Sequence, residues 1–114
     1  MAVTHPVAVS DADFQQEIAE HDGLAIVDFW ATWCGPCIAS IPHNNEIQKK
    51  YGDKGVIIIG VCGSQGQEKM EGIAKARGIK YPIAKDHTRK SAKAWNVMWW
   101  PTYGIIGRDG NVVW

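Results

Sequence analysis

Two cysteines three positions apart, Cys34 and Cys37, are the residues of this sequence best suited to chemistry. A pair at this spacing closes a disulfide only where the backbone turns tightly, as at the start of a helix. An apolar run ends near Trp30 and a helical stretch begins at or just after Cys34, which places Cys34 at a helix N-terminus. There, unpaired N–H groups and the helix dipole favour an anion, so the pKa of Cys34 is lowered and it becomes the attacking thiolate. Cys37, one turn further on, should be more buried and should resolve a mixed disulfide formed at Cys34.

Two other interpretations of this pair stay open on the residues alone. A structural zinc site would need two further ligands, and the only candidates are Cys62 and four scattered histidines, with no second CxxC and no HxxxH. A redox-inert pair of core cysteines is the other interpretation. We predict the redox couple, with no metal and no dissociable cofactor. Cys62 ends a predicted buried strand, where it fits as a small apolar residue, although a second redox role stays open.

Length and charge limit what this chemistry can act on. The 114 residues allow one domain, residues 1–114. Acidic and basic residues number 12 each, so the formal net charge is zero and does not recruit nucleic acid or an acidic membrane surface. No apolar run approaches the roughly 18 residues that indicate a membrane-spanning helix. No signal peptide opens the chain, so membrane attachment is expected only through an anchor absent from this sequence.

Apolar patterning predicts the elements that position the cysteines. Leu24–Trp30 is apolar apart from one acid, Asp28, and Val56–Cys62 is β-branched almost throughout, so both runs are typical of strands buried on both faces. Further strands are predicted at residues 7–9, 81–84, 102–106 and 112–114. The Asp109-Gly110 pair predicts a hairpin between the last two. Helices are predicted at residues 10–21, 34–51, 67–76 and 88–95. Pro42 should kink the second of these helices. Because strands that alternate with helices pair in parallel, we expect an α/β fold with one mixed sheet sandwiched between helices.

The segment from Val27 to Cys37, VDFWATWCGPC, resembles the active-site strand and loop of the thioredoxin superfamily almost letter for letter. Pro42 matches the family's kink proline. Pro101 looks like its cis-proline, which lies beside the disulfide and helps to bind the substrate backbone. The resemblance extends over essentially the whole chain and implies a thioredoxin-like fold with a redox-active Cys34–Cys37 disulfide.

The length of the segment between Cys34 and Pro101 narrows the resemblance to one branch. The segment is longer than in ordinary thioredoxins by one helix-strand unit, and residues 63–84 look like that unit. This resembles the TlpA/ResA-like branch, the thiol-disulfide oxidoreductases of the bacterial cell envelope. A location in the envelope or periplasm is therefore implied, with the cytoplasm as the alternative. The family usually adds a helix after the closing hairpin, so we expect that final C-terminal helix to be missing. Either the chain is truncated, or a dimer or swapped partner chain covers apolar residues such as Val112 and Trp114.

The resemblance also assigns roles to residues around the cysteines. Asp28 matches the family's buried acid, but the lysine that usually accompanies it on the next strand has no counterpart here. Desolvation should raise the pKa of Asp28, which could then exchange a proton with Cys37. The alternative is a satisfied acid at the strand end. Ser40 stands where the reductases that serve cytochrome c maturation tend to carry an acid, which argues against that particular role.

Substrate contact is expected from residues that flank the cysteines in the chain or in the family's fold. These are Trp33, Gly35, Pro36, Trp100 and Pro101. A tryptophan before the proline is bulkier than the family's usual residue and, together with Trp33 and Trp99, would give the site an aromatic rim. Trp30 and Trp95 are assigned to packing.

These observations predict a thiol-disulfide oxidoreductase that reduces disulfides in partner proteins. In this family the Gly35-Pro36 dipeptide is associated with a reducing potential, so reductase is preferred to oxidase. The implied partners are a disulfide-containing protein substrate and an upstream thiol reductant protein. The rival interpretation is a binding or chaperone-like module that uses the Trp33/Trp100 surface without turnover, since thioredoxin-like folds host such roles.

Overall fold

A five-stranded mixed sheet forms the centre of the molecule. The computed structural model describes residues 7–8 and 23–113 of the chain. The strands are β1 (Val7–Ala8), β2 (Leu24–Trp30), β3 (Val56–Cys62), β4 (Pro82–Lys85) and β5 (Thr102–Ile106). Their order in the sheet is β1-β4-β3-β2-β5, and only β5 runs antiparallel to its neighbour. The mixed sheet expected from the sequence is therefore confirmed.

Within residues 23–113, four α-helices connect the strands. They are α1 (Gly35–Ala39), α2 (Ile41–Tyr51), α3 (Met70–Arg77) and α4 (Lys90–Ala94). Short 3₁₀ turns lie at Gly52–Lys54, Gln67–Lys69 and His87–Arg89. The expected additional helix-strand unit is present as α3 and β4, and it places β4 between β1 and β3. The helix predicted at residues 10–21 lies outside the described residues.

The hydrophobic core is divided between the two faces of the sheet, because successive strand side chains point to opposite sides. One cluster joins Trp30 and Ile58 to Ile41 of α2 and Met70 of α3. The other joins Val27, Phe29 and Ile59 to Ala92 of α4 and to Val97. Helices thus cover both faces, which explains why β2 and β3 are apolar almost throughout.

The helical stretch after the cysteines is divided earlier than the sequence predicts. A single helix with a kink at Pro42 was the expectation, but α1 ends at Ala39 and α2 begins at Ile41, with Pro42 in its first turn. The proline has no N–H for the carbonyl of residue 38 and its ring would clash there, so the helix ends before it. Ser40 occupies the junction, and its Oγ donates a hydrogen bond of 2.9 Å to the carbonyl of Cys37.

The C-terminal hairpin is shorter than predicted. The strand expected at residues 112–114 is reduced to one bridge between Ile106 and Val112, and Trp114 lies outside the described residues. The Gly110 N–H donates to Gly107 O at 3.0 Å and closes a tight turn, and the Gly107 N–H donates to Asn111 O at 2.8 Å. Val112 and Val113 are 57% and 62% exposed, so the apolar exposure expected at Val112 is confirmed. None of the described helices is long and apolar enough to cross a membrane.

Candidate active site

The Cys34–Cys37 disulfide lies where β2 passes into α1. Cys34 is the N-cap of α1, and its Sγ accepts a hydrogen bond of 3.2 Å from the Cys37 N–H. Pro36 lies in the first turn, where a missing N–H costs nothing. Cys34 is 5% and Cys37 1% exposed, which confirms that the second cysteine is the more buried. An N–H directed at the Cys34 sulfur favours a thiolate there when the disulfide is reduced.

Pro101 and the cysteines lie at the same end of the sheet, where β2 ends and β5 begins. The Trp100–Pro101 peptide bond is cis, as the resemblance implied. Pro101 leads directly into β5, whose first residue, Thr102, pairs with Phe29 near the end of β2. The antiparallel register therefore sets the cis-proline loop beside the segment that carries Cys34.

Aromatic side chains border the disulfide on its exposed side. Trp33 is 57% exposed and makes an edge-to-face contact with the half-buried Trp100 at a centroid distance of 5.8 Å. Trp99 is also largely exposed. Trp30 is buried and Trp95 packs against Phe29, so the packing predicted for Trp30 and Trp95 is confirmed. The structure thus brings Trp33 and Trp100 together, while their contact with substrate stays a prediction.

Asp28 lies within β2 and is almost completely buried. Its Oδ2 accepts a hydrogen bond of 3.0 Å from Asn44 Nδ2, and its Oδ1 has no hydrogen-bond partner among the described residues. Burial raises the pKa of Asp28 to about 7, and the hydrogen bond from Asn44 lowers it only in part. The expected desolvation effect is confirmed, and the carboxyl group can gain or lose a proton near neutral pH.

The polar residues that surround this acid were not predicted from the sequence. The Tyr103 hydroxyl lies 3.2 Å from Asn44 Oδ1 and 3.3 Å from Ser40 Oγ. Asn44 thus joins Asp28 to Tyr103, whose single hydroxyl proton can go either to Asn44 Oδ1 or to Ser40 Oγ, and the Ser40 hydroxyl donates to the Cys37 carbonyl. The sequence feature that could have indicated these contacts is Asn44, a polar residue three positions after Ile41 on the buried face of α2.

Two surface cavities lie on either side of Trp33. The larger one, about 660 Å³, includes Cys34, Ile38 and Arg77 in its lining. The smaller one, about 410 Å³, includes Asp86, Arg89, Met98 and Trp100. Trp33 lines both cavities. An extended chain crossing the disulfide could therefore occupy both of them.

Cys62 is fully buried and remains a free thiol. Burial raises the pKa of its thiol to about 11, so it is protonated and unreactive at neutral pH. This confirms the small apolar core residue expected at this position. Among residues 23–113, no group of three or more His, Cys, Asp or Glu side chains is arranged to hold a metal ion.

Comparisons with known proteins agree with this geometry. Residues 6–114 match the model of the Redoxin family. The thiol-disulfide oxidoreductase ResA of Bacillus thuringiensis subsp. konkukian is 33% identical over 98 residues, which are 85% of this chain and 57% of that protein. This chain therefore spans little more than half the length of that curated relative.

Solved structures share the architecture. The crystal structure of a thiol:disulfide interchange protein of the thioredoxin family from Chlorobium tepidum superposes with a TM-score of 0.72 at 29% identity, covering 82% of this chain and 68% of that one. The crystal structure of StoA from Bacillus subtilis gives a TM-score of 0.73 at 23% identity, covering 85% and 75% of the two chains, and supports the fold alone.

Proposed function

The chain belongs to the Redoxin family, in the TlpA/ResA-like branch of the thioredoxin superfamily, and from this premise we propose that it is a thiol-disulfide oxidoreductase that reduces disulfides in partner proteins. The observation that carries the proposal is the disulfide between the N-cap residue Cys34 and the buried Cys37. Its position at a helix N-terminus suits an attacking thiolate and a resolving thiol.

The proposed reaction has two sulfur exchanges. In the reduced protein, the Cys34 thiolate attacks one sulfur of the partner disulfide, forming a mixed disulfide and releasing the other partner sulfur as a thiolate that takes up a proton. Cys37 then loses its proton and attacks Cys34 Sγ, which releases the second partner thiol and closes Cys34–Cys37. Two electrons pass to the partner, and an upstream thiol protein must return them.

Asp28 is the proposed acceptor of the Cys37 proton. Asp28 lies on β2, the strand that leads through a short loop to Cys34. Cys34 in turn is the N-cap of α1, the helix that contains Cys37. With a pKa raised to about 7 by burial, the carboxylate is a base matched to neutral pH. The substrate-contact role of Trp33, Gly35, Pro36, Trp100 and Pro101 belongs to the same proposal and is supported by their common position at one edge of the sheet.

The redox potential tests the direction of electron flow. We expect a value near the roughly −270 mV of thioredoxin rather than the roughly −120 mV of DsbA. Equilibration with dithiothreitol buffers, read by tryptophan fluorescence, gives the potential. A value close to that of DsbA would contradict the reductase assignment.

Activity in a variant series tests the role of each cysteine. Cys34→Ser should abolish reduction of insulin disulfides, because it removes the attacking sulfur. Cys62→Ala is the matched control and should retain activity, since Cys62 lies in the core. Retained activity in Cys34→Ser would remove Cys34 from its proposed role.

A second candidate function is a binding module without turnover, favoured by the exposed aromatic rim at Trp33 and Trp99. It predicts that a Cys34→Ser/Cys37→Ser variant binds partner polypeptides as well as the unaltered protein does. The oxidoreductase proposal instead requires that the reduced protein reduce a generic disulfide and that its tryptophan fluorescence change on oxidation.

The proposed location is the bacterial cell envelope, as in the branch that the sequence resembles. The proposed cofactor is the Cys34–Cys37 disulfide itself. Localisation of the tagged full-length gene product by cell fractionation would test the compartment, and recovery in the cytoplasmic fraction would contradict it.

A further inference from the structure

An arginine lines each of the two cavities that share Trp33, the residue next to Cys34, and we infer from this that the partner segment reduced at this site is acidic on either side of its cysteine. The inference rests on the proposed function and specifies its substrate class. The chain as a whole carries no net charge, so this positive surface is a local property of the site.

One arginine lies on each side of Trp33. Arg77, the last residue of α3, lines the cavity that contains Cys34. Arg89 lines the cavity on the other side, and its guanidinium lies 6.0 Å from the ring centroid of Trp100. That ring also contacts Trp33, and Trp33 in turn lines the cavity that contains Cys34, so the Arg89 guanidinium is linked to this cavity through the two indoles.

The backbone holds Arg89 in place at this edge. Thr88 and Arg89 have φ values of 55° and 60°, a left-handed conformation that is uncommon for residues other than glycine. Such a pair persists only where the surroundings enforce it. The turn it makes leads into α4 and leaves Arg89 above Trp100.

Neither arginine has a counter-charge among the described residues. No ion pair is formed by Arg77 or Arg89 within residues 23–113. The only acid on either cavity lining is Asp86, which is buried. Its two oxygens accept backbone hydrogen bonds from Ser91 at 2.8 Å and Ala92 at 3.0 Å, so its charge is satisfied by α4.

Among the residues that line the two cavities, the two arginines are therefore the charged groups outside the buried core. An extended segment that places its cysteine at Cys34 would lie over Trp33 with a carboxylate near each arginine, which is the chemistry that guanidinium groups favour.

Complementary surface charge acts mainly on the rate of encounter and is screened by salt. The effect should therefore be visible in the second-order rate constant for reduction of a disulfide peptide. Three peptides of equal length test it, each with one disulfide flanked by Glu, Gln or Lys. The reduced protein is mixed with each peptide in a stopped-flow instrument, and oxidation is followed by tryptophan fluorescence.

We expect the Glu peptide to react about ten-fold faster than the Lys peptide at low ionic strength, with the Gln peptide between them. The difference should largely disappear at high salt. Arg77→Gln and Arg89→Gln should each slow the Glu peptide by about 2- to 5-fold and leave the Gln peptide nearly unchanged. Lys50→Gln removes the same charge from an exposed site on α2 and is the matched control.

A small neutral disulfide, hydroxyethyl disulfide, reports on the thiols alone. If hydroxyethyl disulfide is reduced and the three peptides react at similar rates whatever their flanking charge, the acidic-partner inference is wrong and the oxidoreductase proposal stands. The same conclusion follows if Lys50→Gln has as large an effect as the arginine variants. If neither the small disulfide nor any peptide is reduced, the proposed function itself fails.

Discussion

The buried carboxyl of Asp28 connects the redox site to the stability of the protein. Its only side-chain hydrogen bond comes from Asn44, and no cation lies within bonding distance among the described residues. The charged form is therefore poorly compensated in the folded state, and the pKa is raised to about 7 from an ordinary value of 3.8.

This shift makes stability depend on pH. Between about pH 4 and pH 7 the unfolded chain ionises at Asp28 while the folded protein keeps its proton, so the free energy of unfolding falls as the pH rises through this window. Asp28→Asn removes this cost and should gain stability over the unaltered protein by up to about 4 kcal/mol at pH 7, at about 1.4 kcal/mol per pKa unit. Urea unfolding of both proteins from pH 4 to pH 8 measures the difference. Parallel pH profiles would contradict it.

Asn44 should set the protonation of Asp28. Asn44→Leu removes the donor to Oδ2, so the pKa of Asp28 should rise further above 7. Carboxyl ¹³C chemical shifts followed through a pH titration measure this. Asn45→Leu is the control, since Asn45 bonds Gly78 and Lys80 instead and its loss should leave the Asp28 titration in place.

Some residues of the site could be predicted from the sequence, and others could not. Cys34 and Cys37 were predictable because the spacing of a CxxC pair is local and the helix start that serves it follows directly. Asn44 and Tyr103 were not, because their contact joins α2 to β5 across 59 positions. Only the fold determines that a polar side chain on a helix meets a hydroxyl from an edge strand.

At the scale of elements, a glycine on β5 makes room for a tryptophan. Gly104 is buried opposite Val27, and a Cβ placed there would overlap the ring of Trp95. The Trp95 ring in turn packs on Phe29. The close approach of β5 to the loop after α4 therefore depends on the absence of a side chain at this position.

Two alanine substitutions should have opposite effects. Gly104→Ala should lower the free energy of unfolding by about 1–3 kcal/mol, because it overpacks the site against Trp95. Gly72→Ala is the control within α3, where a Cβ meets nothing within 4 Å, and it should raise stability by about 0.5–1 kcal/mol. Urea denaturation distinguishes the two. An unchanged midpoint for Gly104→Ala would show that the Trp95 ring moves freely.

Element types followed from local patterns, whereas some boundaries did not. Val56–Cys62 was predicted to the residue because it is β-branched almost throughout. The division of the helix at Ser40 was missed because the constraint from Pro42 acts on the carbonyl one turn earlier. The last predicted strand shortened to one bridge, since few cross-strand contacts support it.

At the scale of the whole molecule, apolar residues at the C-terminal edge are exposed. Val112 and Val113 lie beside β5, the edge strand of the sheet. An exposed edge with apolar side chains favours association, so we predict that a second copy of the chain covers this edge.

Sedimentation equilibrium at increasing protein concentration tests the association. We expect a dimer, and Val113→Lys should shift the equilibrium towards monomer because it places a charge in the contact. His43→Lys adds the same charge on the exposed face of α2 and serves as the control. A protein that remains monomeric at all concentrations would contradict the prediction.

The sequence by itself determined the chemistry and the class of fold. A CxxC pair between a buried strand and a helix is a local arrangement, and the alternation of strands and helices fixes a parallel, layered sheet. The tertiary structure decided what surrounds the disulfide: the Asp28–Asn44–Tyr103 contacts and the two arginines on either side of Trp33. These groups come from distant segments, and charge, burial and hydrogen bonding act through space, so their combined effect on the cysteines appears only when the sheet has brought them to one edge.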